Sequence, residues 1–387
     1  MIKFDFDSTV YKTKNNFETK EELLTKLNNY DMTGWVDKVS SDVDEMIKKV
    51  EEVKSHSKAL VVIGIGGSYL GSKALYDMFS NYFTNDFKIY YAGYNLSSNY
   101  LSDLVNILKD TDFSINVISK SGNTMEIKLT YSYIKKFMEE KYSKEELQKR
   151  IIFTTGDSGY LHDEAINNGY YTMSIPDNIG GRYSMMTPAH LFPLAFNIDI
   201  KKLIEGYNDG DKYIDDAYNY ATNRFMLFND KKYVENFVTF EPKYSMINEW
   251  IKQLFGESEG KNKKGVFPTS TVFTRDLHSL GQFIQEGNDI LFETFLIIRD
   301  NTDFKVEGKD LEEINNNIID AVRIAHYKGN VSVNFIEIDE LNEYNIGSII
   351  KFFFYSAAFS SILFGVNPFD QPGVEVYKKE IRNKFDN

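Results

Sequence analysis

A glutamate beside small residues is the clearest candidate for proton-transfer chemistry in this sequence. Residues 254–261 read Leu-Phe-Gly-Glu-Ser-Glu-Gly-Lys, and Glu257 follows an amphipathic helical pattern that we expect to end near Leu254. A carboxylate in a crowded turn can have a raised pKa and can act as a general base. The octet alone is equally compatible with solvated acids in a loop after a helix, so other motifs have to decide between these interpretations.

Two turns rich in glycine and hydroxyl groups predict an anion-binding site. Residues 61–71 read Val-Val-Ile-Gly-Ile-Gly-Gly-Ser-Tyr-Leu-Gly, and residues 118–124 read Ile-Ser-Lys-Ser-Gly-Asn-Thr. Each turn follows a short apolar run and precedes a helical pattern, so helix-start N–H groups, hydroxyls and a lysine can together bind a phosphate. A tight turn without a ligand, or simple helix capping by serine and threonine, would look similar. Two such turns at the ends of parallel strands favour a monophosphate at a sheet switch point.

The first turn does not match the common nucleotide-binding motifs. A dinucleotide fingerprint requires glycine where Tyr69 stands, and a P-loop requires Gly-Lys-Ser/Thr where the chain has Gly71-Ser72-Lys73. The chain has no cysteine, which excludes disulfides and thiolate catalysis. It also lacks a His-x-x-His or His-Glu-x-x-His pattern, so metal catalysis is not indicated and we expect no cofactor.

Three basic residues can assist chemistry on an anionic substrate. Arg182 follows a pair of glycines and can stabilise a developing oxyanion, unless it forms an ordinary surface salt bridge. His278 stands near the start of a predicted helix, where the dipole disfavours its charged form, so it is either a neutral proton shuttle or a structural histidine. Lys378 closes the segment Asp-Gln-Pro-Gly-Val-Glu-Val-Tyr-Lys and can protonate or hold a ring oxygen, or it is one more surface lysine.

The segments that position these residues alternate between strand-like and helix-like patterns. Short runs that are apolar on both faces predict an α/β fold with two doubly wound domains, each with a mainly parallel central sheet flanked by helices. In the first alternation the predicted strands are Ala59–Ile63, Lys88–Ala92, Ile115–Ile118, Ile151–Thr154 and Tyr170–Ser174. The helices predicted with them are Ser72–Tyr82, Asn99–Leu108 and Thr124–Glu140.

A second alternation follows a helical stretch at residues 200–230. Its predicted strands are Asn236–Phe240, Ser270–Phe273, Phe292–Ile298 and Val333–Ile338. Its predicted helices are Tyr244–Leu254, Asp276–Gln285, Leu311–Lys328 and Asn342–Phe364. From these patterns we expect an N-terminal helical arm at residues 1–55, a first domain at residues 56–190, and a second domain at residues 191–387 that ends in a helix.

Composition and charge narrow the class of function. The 387 residues carry a formal net charge of -13, which disfavours binding to nucleic acid or to an anionic membrane. The N-terminus has charges where a signal peptide needs an apolar stretch. The longest apolar tract, residues 349–366, is interrupted by Lys351 and Gly365 and is predicted to be a buried helix rather than a membrane span. We therefore expect a soluble, cytoplasmic protein.

Three longer motifs, taken in order, resemble those of the glucose-6-phosphate isomerase family in its bacterial form. Residues 180–184 read Gly-Gly-Arg-Tyr-Ser, and residues 256–261 read Gly-Glu-Ser-Glu-Gly-Lys. The stretch 361–378 contains Phe-Asp-Gln-x-Gly-Val-Glu-x-x-Lys. The resemblance extends from about Lys58 to Lys378, which is most of the chain.

The resemblance implies two sugar-isomerase domains and a homodimer that interconverts glucose 6-phosphate and fructose 6-phosphate in glycolysis and gluconeogenesis. The implied route is ring opening followed by a cis-enediol(ate), without metal or nucleotide. By position in the motifs, Glu257 matches the base and Arg182 matches the group that steadies the intermediate. Ring opening would fall to Lys378 and to His278 of the partner subunit. The implied phosphate-binding and other substrate-binding residues are Ser68, Ser119, Lys120, Ser121 and Thr124, with Gly67, Gln253 and Gln371.

The chain departs from the family pattern at four positions. His190 stands where the signature expects a small residue, and Asn123 stands where threonine is usual. Pro372 and Tyr377 replace tryptophan and glycine of some relatives. A non-catalytic phosphosugar sensor, and an isomerase that also accepts mannose 6-phosphate, are the alternative functions; the sensor is disfavoured because no catalytic residue type is missing.

Overall fold

The computed structural model describes residues 1–6, 17–40, 42–299, 302 and 304–385. It divides into two compact units. The first unit is Asp31–Ile204, and the second unit consists of Met1–Tyr30 and Glu205–Asn387. The three-part domain division expected from the sequence stays a prediction.

The described residues form a series of strands and helices that follow one another along the chain. The strands are β1 (Ile2–Phe6), β2 (Ala59–Ile63), β3 (Lys88–Ala92), β4 (Phe113–Ser119), β5 (Ile151–Thr155), β6 (Tyr171–Ser174), β7 (Val234–Thr239), β8 (Phe267–Val272), β9 (Leu291–Ile298), β10 (Lys305–Val306), β11 (Lys309–Asp310) and β12 (Val333–Ile338). The helices are α1 (Lys20–Leu27), α2 (Asp44–His56), α3 (Leu70–Phe79), α4 (Ser98–Lys109), α5 (Met125–Lys141), α6 (Lys144–Arg150), α7 (Tyr160–Asn168), α8 (Pro188–Leu194), α9 (Ile200–Asn208), α10 (Ile214–Asn229), α11 (Ser245–Glu259), α12 (Leu277–Glu286), α13 (Leu311–Lys328), α14 (Glu343–Leu363) and α15 (Pro372–Phe385).

The sheet of the first unit is parallel throughout, in the order β3-β2-β4-β5-β6. The chain leaves β2 towards β3 on one side and then returns to place β4 on the other side of β2. The strand order therefore reverses between β2 and β4, and this reversal is the switch point at which α/β sheets commonly bind ligands.

Helices cover both faces of this sheet, as the doubly apolar strands predicted. Side chains alternate across a strand, so Ala59, Val61 and Ile63 face a core shared with helices α4, α5 and α7. Leu60 and Val62 face a second core shared with α2, α3 and α8. The α/β class and the predicted strands of this unit are confirmed, with ends shifted by a few residues.

The sheet of the second unit has the order β1-β12-β9-β7-β8. All neighbours are parallel except β1, which runs antiparallel to β12. The strand order reverses between β7 and β9, which gives this unit a switch point of its own. We expected a helical pattern across residues 1–55, and the strand at Ile2–Phe6 departs from that; its alternating Ile-Lys-Phe-Asp-Phe is too short to stand out from the polar stretch that follows.

A long apolar helix fills the core of the second unit. Within the described residues, α14 is the one helix long and apolar enough to cross a membrane by length and composition, and 94% of its apolar window is buried inside the protein. It packs its aromatic side chains against Phe4, Tyr220 and Trp250. The prediction of a buried core helix at residues 349–366 is confirmed.

Candidate active site

Five side chains of the predicted phosphate site line a single cavity in the first unit. The cavity has a volume of about 470 Å³, and its lining includes Ser68, Ser119, Lys120, Ser121 and Thr124. Ser68 belongs to the turn after β2, and the other four belong to the turn after β4, the strand paired with β2. The cavity therefore lies at the carboxyl ends of the two strands that flank the switch point.

The hydroxyl groups of the second turn are arranged to donate rather than to cap a helix. Ser119 Oγ accepts the Gly122 N–H at 3.1 Å, and Ser121 Oγ accepts the Asn123 N–H at 3.3 Å. A hydroxyl that accepts one hydrogen bond keeps its own proton for another acceptor, such as a phosphate oxygen. Thr124 is the N-cap residue of α5, yet its side chain accepts no capping bond from the described residues of the helix. Capping alone does not account for this turn.

Lys120 is engaged with backbone rather than held free for an anion. Its ammonium group donates to the carbonyl oxygens of Pro176, Asp177 and Ile179, at 3.1, 2.8 and 3.3 Å. The Asp177 carboxylate also lies 3.8 Å from Lys120 Nζ and lines the cavity. The lysine thus ties the turn after β4 to the segment that leads into Gly180 and Arg182, while its charge remains at the cavity wall.

Arg182 is buried beside the turn after β2. It lies in a short 3-10 helix, Gly181–Tyr183, and only 4% of it is exposed, which does not fit a surface salt bridge. Gly67 packs backbone to backbone against Gly181, so a Cβ atom at Gly67 would come within 2.4 Å of the Gly181 carbonyl group. The absence of a side chain on Gly67 lets the phosphate turn and the arginine segment approach closely.

His190 joins these two segments, although its place in the sequence indicated no role for it. Its Nδ1 atom accepts the Ser72 N–H at 2.9 Å, and its Nε2 atom lies 2.7 Å from the Gly67 carbonyl oxygen. Burial lowers the pKa of His190 to about 4, so the ring is neutral at physiological pH. The only sequence signal was a histidine at a motif position where a small residue was expected.

In the second unit, Glu257 lies in the last turn of α11 and is half-buried. We expected this helix to end near Leu254 and Glu257 to stand in the turn after it; that boundary was wrong, because the helix continues through Glu259. The extension places Gln253 one helical turn before Glu257. Gln253 Nε2 donates to Glu257 Oε1 at 3.2 Å, so the two predicted residues are in contact.

The second glutamate of the octet is a buried structural residue. Residues two apart on a helix point in nearly opposite directions, and Glu259 faces the core while Glu257 faces outward. Glu259 pairs with Arg224, which also binds Glu235 through Nε at 2.6 Å and Ser360 through Nη1 at 2.8 Å. Burial opposes the charge of Arg224, but attraction by Glu235 and Glu259 raises the pKa of Arg224 above its ordinary value.

Lys261 connects the turn after Glu257 to the C-terminal motif. Its ammonium group donates to the Ser258 carbonyl at 3.0 Å and to the Asn367 carbonyl, and it pairs with Asp370 at 2.9 Å. Asp370 directly precedes Gln371 and the helix α15. Two motifs that are about a hundred residues apart in the chain therefore meet through one lysine.

The remaining candidates lie on the surface of the second unit. His278 is exposed at the second position of α12, and Gln371 is exposed immediately before α15. Lys378 lies on α15, where it pairs with Glu375 at 3.3 Å. Among the described residues, no hydrogen bond or ion pair joins His278 or Lys378 to Glu257.

Comparison with known proteins shows which family and which relatives this sequence matches. The family model for phosphoglucose isomerase matches residues 19–267 and 270–386. The glucose-6-phosphate isomerase of Clostridioides difficile (strain 630) is 42% identical over 383 residues, which cover 90% of this chain and 85% of that protein.

Solved structures share the fold at lower identity. A hypothetical protein from Thermus thermophilus superposes with a TM-score of 0.83 at 24% identity, over 95% of this chain and 94% of its own. A glucose-6-phosphate isomerase from Chlamydia trachomatis gives a TM-score of 0.76 at 20% identity, over 92% of this chain and 77% of its own. The predicted pair of sugar-isomerase folds agrees with these likenesses.

Proposed function

This chain belongs to the phosphoglucose isomerase family and interconverts D-glucose 6-phosphate and D-fructose 6-phosphate, and we propose that Glu257 is the base that moves the proton between C1 and C2. The chain is thus an aldose–ketose isomerase of glycolysis and gluconeogenesis. The observation that carries the assignment of the phosphate-binding residues is the hydroxyl-lined cavity at the switch point of the first unit.

The cavity holds the phosphate group of the substrate in this proposal. Hydroxyl protons of Ser68, Ser119, Ser121 and Thr124 donate to the phosphate oxygens, and the Lys120 charge favours the dianion. The phosphate takes no part in bond breaking, so these contacts act alike in the ground and transition states. Their contribution is to hold the sugar in one orientation for proton transfer.

Proton transfer then needs one carboxylate and one fixed cation. The Glu257 carboxylate takes the proton from C2 of the open-chain aldose, and the electron pair forms the C1–C2 double bond of a cis-enediol(ate). Arg182 stabilises the negative charge that develops on oxygen. Glu257 then returns the proton to C1, and the proton of the C2 hydroxyl passes to the C1 oxygen, which completes the ketose. Gln253 holds the Glu257 side chain through the 3.2 Å hydrogen bond, and Gly67 and Gln371 contact the substrate.

Ring opening is assigned to Lys378 and to His278 of the partner subunit in a homodimer. Support for a partner comes from α12, where Leu280 and Phe283 expose nearly half of their surface on the helix that carries the exposed His278. Apolar side chains of this kind are commonly covered by a second chain. The protein acts in the cytoplasm in this proposal, without a metal or other cofactor.

Replacement of Glu257 by glutamine tests the base. We expect E257Q to lose exchange of the C1/C2 proton with solvent deuterium by more than about a thousandfold, because an amide cannot accept the proton. Binding of fructose 6-phosphate should persist, as measured by calorimetry. Glu286→Gln is a matched control, because Glu286 also lies in the last turn of a helix and accepts a hydrogen bond from the glutamine four residues earlier.

Turnover of E257Q within about tenfold of the parent enzyme would remove Glu257 from the mechanism. The same coupled assay with fructose 6-phosphate, run with and without EDTA, tests the absence of a metal requirement. Equal rates are expected, and a loss of activity that Mg²⁺ or Zn²⁺ restores would contradict it.

Mixing inactive subunits tests whether His278 acts across an interface. E257Q and His278→Ala subunits are each expected to be inactive alone. After verified subunit exchange, mixed dimers should regain part of the activity, because one of their two sites then receives both intact residues. No recovery in exchanged dimers would argue that each chain supplies its own histidine.

A further inference from the structure

We propose that His190 is a positioning residue that locks the turn after β2 to the segment carrying Arg182, so that Ser68 and Arg182 keep a fixed spacing. The proposal rests on the assignment of that turn to phosphate binding. It concerns a position at which this chain departs from its family pattern, and it gives the departure a physical role.

Both nitrogens of the imidazole ring are committed to backbone. His190 lies on α8 and is 2% exposed. Ser72 donates its N–H to Nδ1, so Nδ1 carries no proton, and Nε2–H must then be the donor to the Gly67 carbonyl oxygen. One neutral tautomer satisfies both contacts, and neither the protonated ring nor the other tautomer can.

The contact with Ser72 replaces a missing helix cap. Helix α3 begins at Leu70, and its N-cap residue, Tyr69, makes no side-chain capping bond among the described residues. Ser72 is the third residue of the helix, and its N–H is one of the groups that have no partner within a helix. His190 supplies the acceptor from 118 positions further along the chain. It thereby fixes where the helix after the phosphate turn starts.

The contact with Gly67 fixes the other end of the same turn. A peptide unit is planar, so holding the Gly67 carbonyl also orients the bond to Ser68, whose side chain lines the cavity. Ser184 extends the link, because its Oγ lies 3.1 Å from the Gly67 carbonyl oxygen and 2.6 Å from that of Gly181. The residue after Gly181 is Arg182.

The ring also fits its surroundings closely. A Cβ atom added at Gly71 would lie 3.1 Å from His190 Cε1, which is tighter than an ordinary contact. The edge of the imidazole ring therefore lies close against the backbone of the first turn of α3. A side chain of similar size without polar atoms would fill the space but leave the Ser72 N–H and the Gly67 carbonyl without this partner.

Two variants at position 190 distinguish a positioning role of the histidine from simple filling of space. His190→Leu keeps the volume and removes both polar atoms, and His190→Gln keeps one donor and one acceptor. We expect H190L to raise the KM for fructose 6-phosphate and the inhibition constant of inorganic phosphate about tenfold, with a smaller fall in kcat. In H190Q both the KM and the phosphate inhibition constant should return most of the way to the values of the parent enzyme.

His326→Gln serves as the control for a buried histidine without a role in phosphate binding. His326 lies in the second unit, where its Nδ1 is 2.6 Å from Glu293. This variant should lower the melting temperature while the KM and the phosphate inhibition constant stay within about twofold. Unchanged constants in folded H190L, or no recovery in H190Q, would overturn the proposal.

The unmodified protein provides a test that does not depend on folding of a variant. Long-range proton–nitrogen NMR of histidine-labelled protein should show His190 with a protonated Nε2 and a bare Nδ1 from pH 8 down to about pH 5.5. A ring that averages between tautomers or titrates in that range would refute the assignment. Failure of inorganic phosphate to compete on the parent enzyme would instead contradict the phosphate site itself, and so the proposed function.

Discussion

The phosphate turns of the first unit and the glutamate helix end of the second unit are held in place by different kinds of interaction. Around the turns, the groups that hold the backbone are mostly neutral: hydroxyls, peptide groups and the imidazole of His190, together with the Lys120 ammonium group. Behind Glu257, buried charges hold one another, with Arg224 between Glu235 and Glu259. Both regions present functional side chains, yet they fix them by different means.

The difference follows from what each region has to bind. A phosphate dianion needs donors that are not already paired with a protein carboxylate, so a neutral framework leaves the hydroxyl protons available. A catalytic carboxylate gains from a fixed helix end, and a buried ion pair directly behind it provides one. Substitutions of the supporting groups in the first region should therefore appear mainly as changes in substrate affinity, and substitutions of the buried charges behind Glu257 mainly as changes in stability.

The largest effect on stability is expected from removal of the buried cation. Arg224→Met leaves the buried carboxylates of Glu235 and Glu259 without their cation, and we expect the free energy of unfolding to fall by about 3–5 kcal/mol. Urea denaturation monitored by tryptophan fluorescence measures this change. The loss should shrink as the pH falls from 7 to 5, because an unpaired buried carboxylate favours its protonated form.

Arg382→Met is the matched control for an exposed ion pair. Arg382 lies 3.7 Å from Glu375, and both side chains are mostly exposed. Its removal should change stability by less than about 1 kcal/mol. Equal changes in unfolding free energy for Arg224→Met and Arg382→Met would contradict a special role of the buried charges in the second region.

The neutral region should instead be sensitive to acid. Burial holds the pKa of His190 at about 4, below the ordinary value of 6.5, so the folded protein resists a proton that the unfolded chain accepts. Stability from this group is therefore complete above about pH 6.5 and is lost as the pH falls towards 4, by up to about 3 kcal/mol. The difference in unfolding free energy between the parent and H190Q, measured from pH 7 to 4.5, should show this loss. A pH-independent difference would contradict it.

A smaller effect is expected from the hydroxyls of the cavity. Ser119→Ala combined with Thr124→Ala should raise the KM for fructose 6-phosphate about tenfold and lower kcat less, because these contacts bind substrate and transition state alike. Ser97→Ala is the control, since Ser97 is a true helix cap that accepts the Tyr100 N–H in the same unit. It should reduce stability by about 1 kcal/mol and leave KM unchanged. An unchanged KM in the double variant would remove the hydroxyls from substrate binding.

The two regions also differ in how much of each could be predicted from the sequence. The phosphate turns are local: glycine, serine and threonine follow directly after an apolar strand, and neighbouring parallel strands bring both turns to one edge of the sheet. Glu257 was identified from its motif, but a pattern of small residues gave no reason for α11 to continue to Glu259. Glu259, the last residue of the helix, pairs with Arg224, and the motif does not show this contact.

The supporting contacts were not predictable because their partners are distant in the chain. Arg224 meets Ser360 across 136 positions, and His190 meets Gly67 across 123. A single sequence shows neither pair. The strand at Ile2–Phe6 was missed for a related reason, since its pairing with β12 joins the two ends of the chain.

The smallest expected effect concerns Lys120, which can act as a tether or as a cation. Its three hydrogen bonds to residues 176–179 favour the tether, because all three ammonium protons are used. Lys120→Met should then raise KM only about threefold, and the ratio of variant to parent KM should stay nearly constant from about 50 to 300 mM salt. A lysine that mainly supplies charge predicts a larger ratio at low salt that shrinks as screening increases. A ratio that falls steeply with salt would move Lys120 from the framework of the first unit to its direct phosphate ligands, and would make that region less neutral than the structure indicates.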